Sequence, residues 1–153
     1  MSTLPMDKLP QGAPYAIGAA VVQTLRTAPE LVGAVVLDNP RRASDLSEGE
    51  RIVFFEDQSD RQRDNPAQVQ HRTYSFAVGV VNRSTNARQA AHADYRAAKR
   101  AIRTLAMTAM TQAGVEVNGG GLREGEVRYR LENIDVGGEL VLGVFTLDYR
   151  DPN

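Results

Sequence analysis

Residues 72–82, Arg-Thr-Tyr-Ser-Phe-Ala-Val-Gly-Val-Val-Asn, decide the fold, because large and small side chains alternate along them as they do in a β-strand. The larger side chains share one face, which we expect to lie in the core: Tyr74, Phe76, Val78 and Val80. The opposite face carries small side chains: Thr73, Ser75, Ala77 and Gly79. Such a face would let another sheet or subunit approach closely.

The run from Ala87 to Ala113 has the spacing of an amphipathic helix, and Gly114 suits its C-terminal cap. Apolar positions predict one stripe that faces the core: Ala91, Tyr95, Ala98, Ile102, Leu105 and Ala109. The segment from Thr104 onward carries no charge, so we expect it to be buried by its own domain or by a neighbouring subunit. Its candidate interface residues are Thr104, Met107 and Met110.

The elements around this strand and helix follow from apolar patterning and from proline and glycine positions. In chain order we predict an N-terminal arm over 1–14, a helix over 15–28, a short strand or connection over 31–37, a strand over 52–55, a glycine-rich loop over 115–125, a strand over 126–134, a hairpin turn at Gly137-Gly138 and a returning strand over 139–149. The returning strand is apolar on both faces, so we expect it to be central or covered on both sides. The prediction is a single α+β domain over 15–153, a four- or five-stranded antiparallel or mixed sheet with two helices packed on one face.

A polar segment, Gln58 to Gln68, separates two predicted strands, and we expect it to be an exposed loop between antiparallel partners. Loops of this length are usually functional or disordered, so it is a candidate docking loop. Its charged members are Asp60, Arg61, Arg63 and Asp64.

Composition excludes several function classes. The chain has 153 residues, a net charge of −1 and no cysteine, which removes disulfides and thiol chemistry and fits a protein assembled in the cytosol. No apolar run has the length of a membrane helix, and we expect no membrane partner. His71 and His92 belong to no catalytic motif, and the acids between Glu56 and Asp64 match no calcium loop. We therefore expect no enzyme activity, no metal and no cofactor.

The predicted long helix is locally positive, because its five lysines and arginines oppose one acid, Asp94. Its candidate inter-subunit charge face consists of Arg88, Arg96, Lys99 and Arg103. The segment 38–64 is locally negative, with eight acids against five arginines, so we expect the two to pair across subunits. The alternative is that this face binds the phosphates of a nucleic acid.

The order of helix, strands, long helix and closing hairpin resembles the tail terminator proteins of long-tailed bacteriophages. The helix from Tyr15 to Ala28 resembles their first helix, and Gly143-Val144-Phe145-Thr146-Leu147-Asp148-Tyr149-Arg150 resembles their closing strand. Related head-completion and neck proteins share this layout. The resemblance implies a structural virion protein, assembled in the host cytoplasm, that forms a ring, typically a hexamer, at the head-proximal end of the tail. Its implied partners are further copies of itself, the tail tube protein and head connector proteins, with DNA nearby.

Overall fold

The computed structural model describes residues 11–40, 50–62, 71–112, 116–131 and 138–150, and for residues 104–112, 116–120 and 131 it describes the backbone alone. The elements in chain order are α1 (Ala13–Thr27), a short 3-10 helix (Pro29–Leu31), β1 (Val35–Asp38), β2 (Arg51–Gln62), β3 (His71–Asn82), α2 (Ala87–Gln112), β4 (Glu116–Leu131) and β5 (Glu139–Arg150). No helix within these ranges is both long and apolar enough to cross a membrane.

The five strands form one mixed sheet in the order β1-β2-β3-β5-β4. β1 is parallel to β2, and the other neighbours are antiparallel. β5 therefore lies between β3 and β4, as its two apolar faces predicted, whereas β1 and β4 are the edge strands. The predicted fold class, an α+β domain with a mixed sheet, is confirmed.

Both helices pack on one face of the sheet, above the large side chains of β3. Tyr74, Phe76, Val78 and Val80 are buried there, as predicted. α1 contributes Ile17, Val21 and Leu25, and α2 contributes Ala91, Tyr95, Ala98 and Ile102. Each fully buried Val, Leu, Ile or Phe side chain stabilises the fold by roughly 1.5–3 kcal/mol, so this layer is the main source of stability.

The opposite face of the sheet has a smaller apolar cluster. Ile52, Phe54 and Val81 are buried in it, and three partly buried leucines pack against them: Leu37, Leu140 and Leu142. We predicted that another sheet or subunit could approach this face closely. At Gly79 that prediction is wrong, because the ring of Phe54 occupies the space where a Cβ would stand. The small side chain of β3 makes room for an aromatic ring of its neighbour β2.

Three predicted boundaries need correction. The segment 58–62 is not loop, because β2 continues to Gln62 and pairs with β3 from Arg72 to Ser75 beyond a bulge. The glycine-rich segment is not a loop up to Gly125, because β4 begins at Glu116 and pairs with β5 across two irregularities. α1 begins at Ala13, since Pro14 is compatible with the first turn of a helix. Ala113, Ile134 and Gly137 lie outside the described residues.

A polar clamp joins four elements at the start of α2. Arg51 donates from Nε and Nη2 to the two carboxylate oxygens of Asp94, at 3.1 and 2.9 Å. It also donates to the carbonyl oxygens of Val32 and Glu30, at 2.8 and 3.3 Å. Asn82 Nδ2 lies 3.5 Å from Asp94 Oδ2. The clamp therefore fixes the 3-10 helix, β2, β3 and α2 relative to one another.

Candidate subunit interface

The basic stripe of α2 lies above β4, an edge strand of the sheet. The His92 ring stacks on Tyr129 of β4, with ring centroids 4.9 Å apart and an angle of 10° between their planes. Lys99 Nζ lies 3.4 Å from Glu124 Oε1, also on β4. Residues at positions 88, 92, 96, 99 and 103 recur every three or four positions and so share a helix face. These contacts place that face at the β4 edge, away from α1.

The four predicted cations share this face but not the same environment. Arg88, Arg96 and Arg103 are exposed and have no ion pair within the part of the chain that the structure describes. Lys99 is half-buried, and its charge is balanced by Glu124. Arg100 points to the other side of α2, where its Nη2 lies 2.6 Å from Glu30 Oε2. The charge available to a partner therefore comes from the three arginines.

Tyr129 adds an apolar group to this edge. Its side chain is 56% exposed, although it stacks on His92. Arg128 and Arg130 flank it on the opposite side of the strand, and Arg128 Nη2 lies 3.3 Å from Glu126 Oε2. The sequence pattern placed Tyr129 on the core side of its strand and gave no sign that its ring would be exposed, because that depends on how far β4 extends beyond the helix.

The β1 edge, on the opposite side of the sheet, is acidic. Asp38 is exposed at the end of β1, and Glu56 and Asp57 follow on β2. A notch of about 370 Å³ lies here, lined by Asn39, Pro40, Glu56 and Asp57. Asn39, at φ 49°, donates from its backbone N to Phe55 O at 2.7 Å and accepts from Asp57 N at 2.8 Å. These two bonds fix the shape of the notch.

Two valines extend the β1 edge. Val32 is 76% exposed and Val35 is 45% exposed, which are high values for β-branched apolar residues. The run from 31 to 37 is apolar throughout, so its sequence could not indicate which side chains are exposed. The β1 edge therefore combines carboxylates with apolar surface, whereas the β4 edge combines guanidinium groups with an aromatic ring.

Residues 58–62 of the predicted docking loop belong to β2, and residues 63–68 lie outside the described residues. Asp60 lies within β2, where it accepts hydrogen bonds from Tyr149 Oη at 2.9 Å and from Arg72 Nε at 2.9 Å. It therefore serves an internal network. Arg61 is exposed on the same strand, and Arg63 and Asp64 lie outside the described residues. The docking role stays a prediction.

The predicted apolar interface on α2 stays a prediction as well. Thr104, Met107 and Met110 belong to the helix, whose backbone runs to Gln112, but their side chains are outside the description.

Three buried tyrosines each donate to a carboxylate: Tyr74 to Asp57, Tyr95 to Glu124 and Tyr149 to Asp60. Burial raises the pKa of all three phenols, and the hydrogen bonds to the carboxylates raise it further, because each bond requires the proton. These pairs are saturated internal contacts. Among the described residues, no group of three or more His, Asp or Glu is placed to hold a metal ion.

The comparisons with known proteins show similarity of structure and no similarity to a family model or a curated protein. No protein-family model matches the chain, and no curated protein matches it. Among solved structures, the fold is similar to that of a chain in the virion of a native gene transfer agent (GTA) particle. The match has a TM-score of 0.54 at 18% sequence identity, and it covers 90% of this chain and 97% of that chain. At this identity the likeness establishes a shared fold across nearly the whole length of both chains.

Proposed function

We propose that the chain is a structural subunit of a phage-like virion and, within that class, the tail terminator that forms a ring at the head-proximal end of the tail. The observation that carries the proposal is the fold shared, over 90% of the chain, with a chain of the GTA virion. The layout of elements, which resembles tail terminators from the first helix to the closing strand, supports the narrower assignment.

The two unlike edges of the sheet support a ring. A contact between two different surfaces of identical subunits is head-to-tail, and it closes into a ring when the rotation between neighbours permits. In this proposal the partners are further copies of the chain, with six as the expected number, the tail tube protein and the head connector proteins. The subunit assembles in the host cytoplasm, resides in the virion and has no catalytic role, cofactor or membrane contact.

Light scattering after size exclusion tests the ring, and electron microscopy of the protein alone and mixed with purified tail tubes tests the position. We expect a closed ring that binds one end of each tube. A ring that binds no tube end would contradict the tail terminator assignment and leave another neck or tail component. A protein that remains monomeric at high concentration, with and without tubes, would contradict the whole proposal.

A second candidate function is nucleic-acid binding through α2. The observation that favours it is that Arg88, Arg96 and Arg103 are exposed without an ion pair among the described residues. Replacing Arg88, Arg96 and Arg103 together by Gln would then abolish DNA binding and flatten its salt dependence. A wild type that stays monomeric and binds DNA, with the binding lost in this variant, would favour this function over the ring.

A further inference from the structure

We infer that neighbouring copies bind through opposite edges of the sheet, the β4 edge of one copy against the β1 edge of the next. The inference rests on the proposed ring and assigns its contact surfaces. We call the first surface the basic edge, which consists of Arg88, Arg96, Arg103 and Tyr129. We call the second surface the acidic edge, which consists of Val35, Asp38 and Glu56.

The strand order makes the two surfaces available at once. β1 and β4 are the two ends of the order β1-β2-β3-β5-β4, so three strands separate the edges. α2 covers the β4 side of the sheet, as its contacts with Glu124 and Tyr129 show, and α1 packs toward β1 and β2. A copy can therefore bind one neighbour through its basic edge and another through its acidic edge, which is the requirement for a ring.

The charges of the two edges are opposite in sign, and among the described residues these charged groups form no ion pair within the subunit. The arginines of the basic edge have no ion pair among the described residues. On the acidic edge, and among the described residues, Asp38 accepts a hydrogen bond from the side chain of its neighbour Asn39, and Glu56 has one long contact with Gln58 at 3.5 Å. The structure excludes Asp57, Asp60 and Lys99 from the contact, because each is paired inside its own subunit.

Apolar surface strengthens the match. The large hydrophobic side chains that the structure describes as exposed are Tyr15, Val32, Val35 and Tyr129. Tyr129 lies on the basic edge and Val35 lies on the acidic edge, so two of these four belong to the two proposed surfaces, and Val32 precedes β1 by three residues. An aromatic ring beside arginines is typical of the central part of protein interfaces.

Paired charge reversal tests this assignment. The first variant carries Arg96→Glu with Arg103→Glu, and both of its edges are then acidic. The second carries Asp38→Arg with Glu56→Arg, and both of its edges are then basic. Each variant lacks two attractive pairs and gains two repulsive ones, so we expect its self-association to weaken by roughly 100-fold per interface. An equimolar mixture can close an alternating ring, because every contact again joins an acidic to a basic edge.

The measurements are light scattering after size exclusion of wild type, of each variant and of the mixture, at low and high salt. Arg26→Glu, on the exposed side of α1, is the control for reversing the charge of an exposed helix arginine that lies outside both edges. Circular dichroism and thermal melting check that each variant folds, and Arg96→Gln with Arg103→Gln is the milder substitute. We expect each charge-reversed variant alone to be monomeric, the mixture of the two to form a ring, and the control to assemble as the wild type does.

The outcomes separate the two proposals. Rings of normal size from either folded variant alone would overturn the edge assignment and leave the proposed function standing. A mixture that fails to assemble would also overturn it. A wild type that forms only a two-fold dimer would overturn it as well, because two-fold contacts join like surfaces. A monomeric wild type that binds DNA, with binding lost in the first variant, would overturn both proposals and favour the nucleic-acid function.

Discussion

Replacing Asp94 by Ala tests whether the clamp at the start of α2 holds the fold together. The Asp94 side chain is 11% exposed, and it receives two hydrogen bonds from Arg51, whose side chain is 30% exposed. The substitution leaves the guanidinium group with the carbonyl oxygens of Val32 and Glu30. It also deprives Asn82 of a buried acceptor.

The expected cost follows from these exposures. Breaking a fully buried ion pair costs about 3–5 kcal/mol, and an exposed pair contributes about 0–1 kcal/mol. Because water reaches part of Arg51, we expect Asp94→Ala to lower the free energy of unfolding by about 2–3 kcal/mol. For a chain of this size, that is a fall in melting temperature of about 4–12 °C.

Urea denaturation followed by circular dichroism measures the change. Glu30→Gln is the matched control, because it removes the exposed Arg100–Glu30 pair, whose side chains are 57% and 58% exposed. We expect the control to cost less than about 1 kcal/mol. Arg51→Met alone leaves a buried carboxylate without its partner. The double variant Arg51→Met with Asp94→Leu should therefore lose less free energy of unfolding than Arg51→Met alone. If Asp94→Ala costs no more than Glu30→Gln, the clamp is not a stabilising element and this reasoning is wrong.

Three further predictions concern other parts of the molecule. The folded-state pKa values of Tyr74, Tyr95 and Tyr149 are raised above the ordinary 10.0, so the stability that these residues contribute is complete below about pH 10 and is lost as the pH rises through the folded-state values. In an alkaline titration followed by tyrosinate absorbance, we therefore expect these three tyrosines to ionise only as the protein unfolds. Ionisation of the three in the folded protein would contradict this prediction. Gly143→Ala places a Cβ against the hydroxyl of Tyr95 and should lower the free energy of unfolding by about 1–3 kcal/mol. An unchanged melting temperature would contradict this prediction. Met110→Asp, on the uncharged part of α2, should weaken self-association by several kcal/mol if that face is buried between copies, and a ring of normal size in light scattering would count against that interface.

Local patterns predicted the elements whose side chains face one core. The alternation in 72–82 and the spacing in the long helix correspond to β3 and α2, because both depend on side chains within one segment. The end of β2 was not predictable in this way. Residues 58–62 are polar, and they form a strand because β3 continues beside them and because Asp60 meets Tyr149 and Arg72. Those partners are distant in sequence.

The sequence predicted which charged residues share one face of α2, but it did not predict what that face contacts. Helical spacing alone groups Arg88, Arg96, Lys99 and Arg103. It does not show that Glu124, 25 residues beyond Lys99, neutralises that lysine. Nor does it show that the face lies over β4. That position depends on the insertion of β5 between β3 and β4, which puts the fourth strand in chain order at the edge of the sheet.

The form of β4 also indicates which kind of contact its edge can make. A long edge strand exposes unpaired backbone groups that can pair with another chain, and proteins prevent this with bulges and charged side chains. β4 has two register irregularities against β5, and charged residues such as Glu126, Arg128 and Arg130 occupy its exposed part. Addition of a strand from a neighbouring copy is therefore disfavoured along this edge. In the proposed ring, recognition at this edge therefore comes from side chains, from Tyr129 and the arginines of α2 above it, and it should weaken as salt screens those charges.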